Sequence, residues 1–466
     1  MAAATLLVVL LAQAPSTYDA VTDRGPRAKP SLVTPGPSGS TWKDPVFGTR
    51  MWRVTDANTR SDRSGVSFRT PSATHQNEWS ASTSYFYVVS TDGTVVPFAF
   101  DPFSGAATRL APLTFYIEPQ FSYVNDSQIY GSVSGGSLHT IDQYDFATGK
   151  YTQLVDLDSV AGGLGGTYIG GVSSSAGPTE RILVFFGGAS QDQHHYVLIF
   201  EKNTPSNRRM LDTSSAALHF NLHHAAIDRS GRYVLLYPSS ADLVAPRNAA
   251  QVYVWDTQTD TTTALPLVDA RSGGHDAYGY GVAINQDCCS STTYDAAQWQ
   301  IRSLSTPLTT KDLISPVLNP KEVYLADHPT WNNARVDALV PFITGTYRYP
   351  PDDIEWRPWD DEIVAVQTDA GQQGAEVYRF AHHRSDVRND QTPSQTSFWY
   401  LPRPNVSPDG RWVLFTSNWE KTLGIDPAGA VGERARQDVF LLRLNSAGGE
   451  PELRLSPQAI RRGPGL

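Results

Sequence analysis

The sequence of 466 residues contains only two cysteines, the neighbours Cys288 and Cys289. A disulfide between adjacent cysteines is strained, so no disulfide framework is expected to hold this fold together. Two thiolates are also too few for a structural zinc site built from cysteines. We therefore expect two free or buried thiols and a fold stabilised by its own core.

Long hydrophobic runs are scarce as well. The run from Ala4 to Leu11 is too short to span a membrane, and no other segment has the roughly 20 apolar residues that a membrane helix needs. Ala12-Gln13-Ala14 follows as a small-x-small cleavage pattern, although the usual positive residue at the amino terminus is missing. The sequence predicts a signal peptide over residues 1–14 and a secreted or periplasmic protein.

Positive charge is also in short supply. Lys and Arg number 37 against 47 Asp and Glu, which makes the formal net charge -10. A phosphate backbone needs a basic face, so this balance argues against nucleic acid as the main partner. Long helical periodicity is hard to find, whereas 36 glycines, 32 prolines and 11% aromatic residues indicate many short strands joined by turns.

Short apolar runs recur from Lys43 onward, each after the same kind of polar turn. WSASTSYFYVVS, IDRSGRYVLLYP and VSPDGRWVLFTS are three clear copies, and each is followed by a second strand pair. Seven such units start near Trp79, Phe121, Val172, Ile227, Val282, Trp331 and Val406. Four short strands per unit, repeated around an axis, predict an all-β fold, a β-propeller of seven blades with four antiparallel strands each.

The boundaries of the propeller follow from composition. We expect a Pro/Ser/Gly-rich leader at residues 15–44, the propeller at 45–446 and a carboxyl-terminal tail at 447–466. The early segment FGTRMWRVTD has the pattern of an outer strand without a blade, and we expect it to close the ring by pairing with the last blade. Six or eight blades, or a pair of β-sandwiches, are the alternatives.

Histidines recur just before the predicted inner strands, where all blades of a propeller converge on one rim of the central channel. A single histidine there is more often a loop residue bonded to backbone, but its recurrence favours a functional site. The rim position holds His75, Glu118, His223 with His224, His275, His328 and Arg403. Further candidates, whose simpler interpretation is rim packing or a solvated loop, are Tyr278, Tyr280, Tyr347, Arg348, Tyr349, His382, His383, Arg384 and Arg388.

The turn in VSPDGRWVLFTS resembles the S-P-D-G turn of TolB-type propellers. Together with DPVFGTRMWRVTD, the repeated D-x-x-T-G-x turns and the histidines before inner strands, it is similar to the oligogalacturonate lyases and the related seven-bladed ulvan lyases. The resemblance covers roughly Asp44 to Leu444. It implies an enzyme that cleaves an acidic, uronic-acid-containing polysaccharide or oligosaccharide by β-elimination.

This chemistry needs three groups: a positive charge on the uronate carboxylate, a base for the C5 proton and an acid for the departing oxygen. Histidine, tyrosine and arginine on one rim suit these tasks. The resemblance implies His223 or His224 as the base, Tyr278 or Tyr280 as the acid and Arg403 as the positive charge. The residues expected to bind substrate around them are His75, Arg348, Tyr349, Arg384 and Arg388.

The oligogalacturonate lyases resembled here hold manganese with several histidines and a glutamine, some just before the last S-P-D-G. In this sequence that run is WYLPRPNVSPDG, where Arg403 stands in place of a ligand. Two hypotheses follow. Either the site is metal-free and Arg403 neutralises the carboxylate, which we favour, or manganese or another divalent metal binds a different set, His275, His328, His382 and His383.

Two other function classes stay open from the sequence. A non-catalytic propeller would use the same funnel to bind a glycan or a protein. A glycoside hydrolase would need two facing carboxylates. Glu118 and Asp327 lie near blade starts, but no carboxylate pair stands out.

Overall fold

The computed structural model of the protein describes residues 13–73, 75–133, 139–161, 168–188, 193–239, 252–265, 276–286, 299–314, 328–348, 355–369 and 374–445. These residues are almost entirely strands and turns, with one α-helix (Leu157–Ala161) and a 3₁₀ turn (Phe398–Tyr400). No helix among them is long and apolar enough to cross a membrane. Residues 1–12 of the predicted signal peptide (1–14), the predicted tail at 447–466, Cys288 and Cys289 lie outside the described residues.

The strands form seven sheets. They are, in chain order, β1 (Thr41–Lys43), β2 (Arg50–Arg53), β3 (Phe68–Arg69), β4 (Tyr85–Ser90), β5 (Val95–Asp101), β6 (Ala106–Arg109), β7 (Gln120–Phe121), β8 (Gln128–Gly131), β9 (Thr140–Asp145), β10 (Lys150–Asp156), β11 (Ile169–Ser174), β12 (Arg181–Phe186), β13 (Tyr196–Glu201), β14 (Thr204–Asp212), β15 (Leu222–Ile227), β16 (Tyr233–Pro238), β17 (Tyr253–Asp256), β18 (Thr261–Ala264), β19 (Ala277–Tyr278), β20 (Val282–Gln286), β21 (Trp299–Ser303), β22 (Thr310–Asp312), β23 (Pro329–Thr330), β24 (Phe342–Gly345), β25 (Glu362–Val366), β26 (Val377–His382), β27 (Asn405–Val406), β28 (Trp412–Ser417) and β29 (Asp438–Arg443).

Each sheet is one blade of a seven-bladed all-β propeller, as the turn pattern predicts. Blades 1 to 6 are β3–β6, β7–β10, β11–β14, β15–β18, β19–β22 and β23–β26, and blade 7 has the order β27-β28-β29-β2-β1. The core is divided into clusters that each lie between two neighbouring blades, and the last of them joins blade 7 to blade 1. Burial between blades is therefore what holds the ring together.

The strand β12 shows why these segments read as continuous apolar runs. Side chains alternate between the two faces of a strand. Ile182, Val184 and Phe186 face the cluster shared with blade 2, while Leu183 and Phe185 face the cluster shared with blade 4. A blade covered on both faces needs apolar residues at every position, so simple polar alternation is lost.

The ring is closed by the amino-terminal strand pair, as predicted. β2 pairs antiparallel with β29, with Trp52 opposite Leu441 and Arg53 opposite Phe440. Arg53 also forms an ion pair of 2.5 Å with the fully buried Asp438. β1 pairs with β2. Since β1 lies inside residues 15–44, the end of the leader is part of blade 7.

Two of the seven predicted unit starts lie off the inner strands. In blade 1 the inner strand begins at β3, although Trp79 still bridges Phe86 of β4. In blade 5 the inner strand is β19, and Val282 belongs to β20. In both blades the stronger apolar run is the second strand, β4 or β20, and the predicted start lies after the inner strand.

The leader is irregular but packs along blades 6 and 7. Val21 bridges Arg379 of β26, and the hydroxyl of Tyr18 donates a hydrogen bond of 2.8 Å to the carbonyl of Gly410. The indole nitrogen of Trp419 donates to the carbonyl of Val33 at 2.6 Å. The leader thus covers the outer strand of blade 6.

Beside the leader, burial followed by the neighbouring Asp361 raises the pKa of Asp360 to about 7. A carboxyl whose folded-state pKa is raised contributes stability below its unfolded pKa and loses it as the pH rises through the folded pKa. Asp360→Asn keeps an acceptor for the Arg357 amide, 2.8 Å away, and stays neutral. We expect its advantage in unfolding free energy over the unmodified protein to grow between pH 5 and pH 8, by about 2 to 3 kcal/mol. Denaturant unfolding of the variant and of the unmodified protein at pH 5 and pH 8 measures the change. An equal difference in unfolding free energy at the two pH values would contradict the prediction.

Candidate functional site

The segment between β3 and Trp79 crosses the central channel. The side-chain amide of Gln76 donates to the carbonyl of Val172 in blade 3 at 3.2 Å. On the other side, the side-chain amide of Asn405 in blade 7 donates to the carbonyl of Gln76 at 2.6 Å. Blade 1 therefore carries His75 into the middle of the channel rather than leaving it on the rim.

His75, His224 and Tyr278 come from blades 1, 4 and 5 and meet inside the channel. The ring centroid of His75 lies 4.4 Å from that of His224 and 5.1 Å from that of Tyr278. His224 also packs edge-on against Phe185, 5.2 Å away, and lies 5.7 Å from Tyr237. We call His75, His224 and Tyr278 the axial cluster.

A β-bulge separates the two adjacent histidines of blade 4. The register between β15 and β16 shifts between Leu222 and His224. His223 is exposed, whereas His224 is half-buried in the axial cluster. Bulges often re-aim a side chain beside a functional site. Of the two candidates for the base, the structure brings His224 to the axial cluster.

Tyr278 is the end of a chain of hydroxyl groups. Its hydroxyl donates to the hydroxyl of Tyr237 at 3.3 Å, and the hydroxyl of Tyr237 donates to a carboxylate oxygen of Asp276 at 2.6 Å. Burial, reinforced by Asp276, raises the pKa of both phenols well above the usual range. Tyr278 is thus a neutral phenol.

Tyr280 lies beside Arg229, whose guanidinium donates to the backbone carbonyl of Tyr278 at 3.2 Å. The guanidinium of Arg229 lies 3.4 Å from the ring centroid of Tyr123 and donates to the side-chain oxygen of Asn332 at 2.9 Å. Tyr280, Arg229, Tyr123 and Asn332 each come just after the inner strand of their blade, whereas the rim residues were predicted just before it. The nearby Arg229 guanidinium lowers the pKa of Tyr280, but burial outweighs it and the net shift is upward. The structure therefore does not bring Tyr280 to the axial cluster.

A second cluster forms where blades 7, 1 and 2 meet. The Trp399 ring centroid lies 3.8 Å from the guanidinium carbon of Arg69 and 4.8 Å from that of Arg403. Arg69 also lies 3.8 Å from a carboxylate oxygen of Glu118. Arg403 is fully buried and has a positive φ of 36°. Two guanidinium groups therefore concentrate positive charge at this rim.

Burial controls the charges in this cluster. Burial, and next the neighbouring Arg69, lowers the pKa of Arg403 to about 9, so the guanidinium is still charged at neutral pH. Burial, and next Glu118, raises the pKa of the fully buried Glu78 well above its usual range. Glu78 is therefore a neutral carboxyl, and the positive charge of the two arginines is not cancelled by it.

His328 belongs to the same rim. Its ring lies 6.2 Å from that of Tyr347 and 6.0 Å from that of Phe398. The Phe398 ring in turn lies 5.0 Å from the guanidinium of Arg403. Three of the predicted rim residues, Glu118, His328 and Arg403, are thus placed around one end of the channel.

His382 and His383 lie under the leader, not in the funnel. One ring nitrogen of His383 donates to the carbonyl of Thr346 at 2.8 Å, and the other accepts the amide of Ser385 at 2.9 Å. Burial lowers the pKa of His383 to about 4. His382 bonds the carbonyl of Arg27 at 2.8 Å. The ring of His382 therefore holds the leader on blade 6, whereas the ring of His383 is bonded to the backbone of Thr346 and Ser385 within the propeller.

The predicted substrate-binding arginines are likewise used elsewhere. Arg384 donates to the carbonyl of Pro30 and to Glu420, and Arg388 is paired with Asp386. Arg348 donates to the carbonyl of Glu355 and packs over Trp356 at 4.5 Å. The structure does not bring these three to the axial cluster. Tyr349, His275 and Asp327 lie outside the described residues.

The described members of the predicted metal set, His328, His382 and His383, do not meet around one ion. His383 has both ring nitrogens in hydrogen bonds to backbone, and His328 lies on a different part of the molecule from His382. Within the described part of the chain there is no group of three or more His, Cys, Asp or Glu side chains that could hold an ion. We therefore assign no chemical step to a metal.

Sequence reasoning missed several residues of the site. Arg69 follows the short strand β3, which the apolar pattern did not reveal. Tyr237 and Asp276 contact Tyr278 only through the packing of blade 4 against blade 5. His194, buried beside Phe185 at 5.3 Å, precedes a third strand rather than an inner one. The segment FRTPSATH carries both Arg69 and His75, so it is the part of the sequence from which Arg69 could have been predicted as a site residue.

Comparison with known proteins supports the fold. No family model matches the sequence, and no curated protein matches it. Among solved structures, it is similar to an oligogalacturonate lyase in complex with manganese, at a TM-score of 0.57 and 12% identity over 90% of this chain and 98% of that one. It is also similar to an oligogalacturonate lyase from Vibrio parahaemolyticus, at a TM-score of 0.53 and 12% identity over 89% and 98%. At this identity the likeness is one of fold.

Proposed function

We propose that this protein is a lyase that cleaves a uronic-acid-containing glycan by β-elimination at the mouth of its central channel. The observation that carries the proposal is the axial cluster, in which His75 reaches across the channel to His224 and Tyr278. A base and a neutral acid side by side are what elimination needs. The similarity in fold to two oligogalacturonate lyases supports the same reaction class.

In the proposed reaction His224 removes the C5 proton of the uronate. The electron pair of that C–H bond forms the C4–C5 double bond, and the C4–O bond breaks. Tyr278 gives its proton to the departing oxygen, and the chain through Tyr237 to Asp276 orients its hydroxyl. His75 positions the imidazole of His224. The positive field of Arg69 and Arg403 makes the C5 proton more acidic by stabilising the carboxylate as charge develops.

Hydrolysis is less well supported. Glu118 raises the pKa of Glu78, and a carboxyl with a raised pKa near a second carboxyl is a feature of glycoside hydrolases. Glu118, however, accepts hydrogen bonds from the backbone and hydroxyl of Ser72. The cavity in the channel is lined by His75 and Tyr278, and neither Glu78 nor Glu118 lines it.

The proposed substrate is an acidic polysaccharide or oligosaccharide outside the cytoplasm. The apolar amino terminus with its small-x-small pattern supports export. The rim arginines Arg69 and Arg403 support an anionic ligand despite the net negative charge of the chain.

Absorbance near 235 nm tests the proposal, since β-elimination produces an unsaturated uronate. The purified protein is offered a panel of uronic-acid polysaccharides, with added Mn²⁺ and after chelation. We expect a rising signal that survives chelation, because arginine supplies the positive charge. Loss of the signal on chelation would replace the arginine assignment with a metal. A flat trace with folded protein would contradict the lyase and favour a binding propeller.

A further inference from the structure

Two exposed tyrosines, Tyr116 and Tyr168, lie at the rim of the channel. Tyr116 precedes the inner strand of blade 2 and Tyr168 precedes that of blade 3, and Tyr168 is near enough to raise the pKa of the Tyr116 phenol. Their exposed fractions are 46% and 43%. Both rings therefore present an aromatic surface to solvent where substrate would enter.

A line of aromatic and imidazole rings joins this pair to the axial cluster. Tyr168 lies 6.5 Å from His194, and His194 lies 5.3 Å from Phe185. Phe185 is 5.2 Å from His224. The surface that begins at Tyr116 thus continues to the base of the proposed reaction.

We infer that Tyr116 and Tyr168 form a sugar-binding subsite for pyranose residues of the glycan chain that extends beyond the bond to be cleaved. The inference rests on the proposed function. The flat face of an aromatic ring packs against the C–H face of a pyranose, and a tyrosine hydroxyl bonds its hydroxyl groups. We name Tyr116 and Tyr168 the tyrosine subsite.

The chemistry of the subsite selects its ligand. A tyrosine side chain offers no positive charge to a carboxylate, so the subsite recognises the ring of a sugar residue rather than its carboxylate. The formal net charge of -10 opposes a nucleic acid, whose bases also stack on aromatic rings. The consequence is that long chains, which reach the subsite, are better substrates than short ones.

The test compares Tyr116→Ala and Tyr168→Ala with the unmodified protein on size-graded oligosaccharides of the glycan that is cleaved. We expect the ratio of kcat/KM between the longest and the shortest cleaved oligosaccharide to fall about tenfold in each variant. Tyr168→Phe keeps the ring and is expected to keep most of the ratio. Phe103→Ala, which removes a 69% exposed ring on blade 1 away from the rim, serves as the matched control.

Retention of the protein in gels that contain each uronic-acid polysaccharide of the panel separates this inference from the proposed function. If elimination is absent but retention falls in Tyr116→Ala and Tyr168→Ala and not in Phe103→Ala, the tyrosine subsite stands and the lyase does not. If the kcat/KM ratio and the retention are both unchanged in the two alanine variants, the inference is overturned.

Discussion

His224→Ala is expected to lower kcat/KM for elimination by about 10²- to 10⁴-fold, the range typical of removing a general base. His224 is half-buried between His75, Phe185 and Tyr237, so its ring is held in one place. Initial rates near 235 nm on the best substrate of the panel measure the loss. Imidazole added to the solution is expected to restore part of the activity, because it supplies the missing base.

The neighbouring histidine provides the matched control for this experiment. His223 is exposed on the other side of the β-bulge, and His223→Ala is expected to change the rate by no more than a few-fold. Equal losses in the two variants, or a loss in His224→Ala that imidazole does not relieve and that accompanies unfolding, would remove His224 from the role of base.

Arg379→Ala is expected to cost about 3–5 kcal/mol of unfolding free energy, the usual result of leaving one partner of a buried ion pair alone. Arg379 is fully buried and donates to both carboxylate oxygens of Glu362 at 2.8 and 2.6 Å. It also donates to Asp23 and to the carbonyl of Gly25 in the leader. The variant therefore leaves the buried Glu362 carboxylate without this partner and removes the hydrogen bonds that attach the leader to blade 6.

Denaturant unfolding measures the effect of Arg379→Ala. Arg388→Ala removes an arginine whose side chain is 46% exposed and paired with Asp386, and it is expected to cost less than about 1 kcal/mol. The double variant Arg379→Met with Glu362→Leu is expected to recover much of the loss, since it removes both buried charges. A cost below that of Arg388→Ala would show that the ion pair contributes nothing.

The architecture was predictable because turns and apolar runs are local signals. The polar turn before each second strand revealed the repeat, and the pairing of β2 with β29 followed from one unpaired strand pattern. The unit starts Trp79 and Val282 lie after the inner strands of blades 1 and 5, because the stronger apolar run in each of these blades is the second strand, β4 or β20. The number of blades was still predicted correctly, because it was counted from the turns and not from the inner strands.

The site was only partly predictable because it depends on contacts between distant residues. The recurrence before inner strands pointed to His75, His224, His328 and Arg403. It did not show that His75 crosses the channel, since this requires hydrogen bonds of Gln76 to blades 3 and 7. His382, His383 and Arg384 were placed in the funnel because nothing in their own segment indicates that the leader covers them.

The choice between Tyr278 and Tyr280 illustrates the same limit. The two residues are separated by Gly279 alone, yet one contacts His75 and the other lies beside Arg229. The inner strand of blade 5 ends at Tyr278, so Tyr280 lies in the turn that follows it. A sequence pattern that does not fix the end of a strand does not distinguish them.

The central claim is that the axial cluster carries out elimination, and the mass of the product tests it most directly. The glycan is cleaved in water enriched in the heavy isotope of oxygen, and the products are analysed by mass spectrometry. Elimination breaks the C4–O bond without adding water, so we predict an unsaturated product that carries no heavy oxygen at the new end. A saturated product that has taken up heavy oxygen would show hydrolysis and contradict the account.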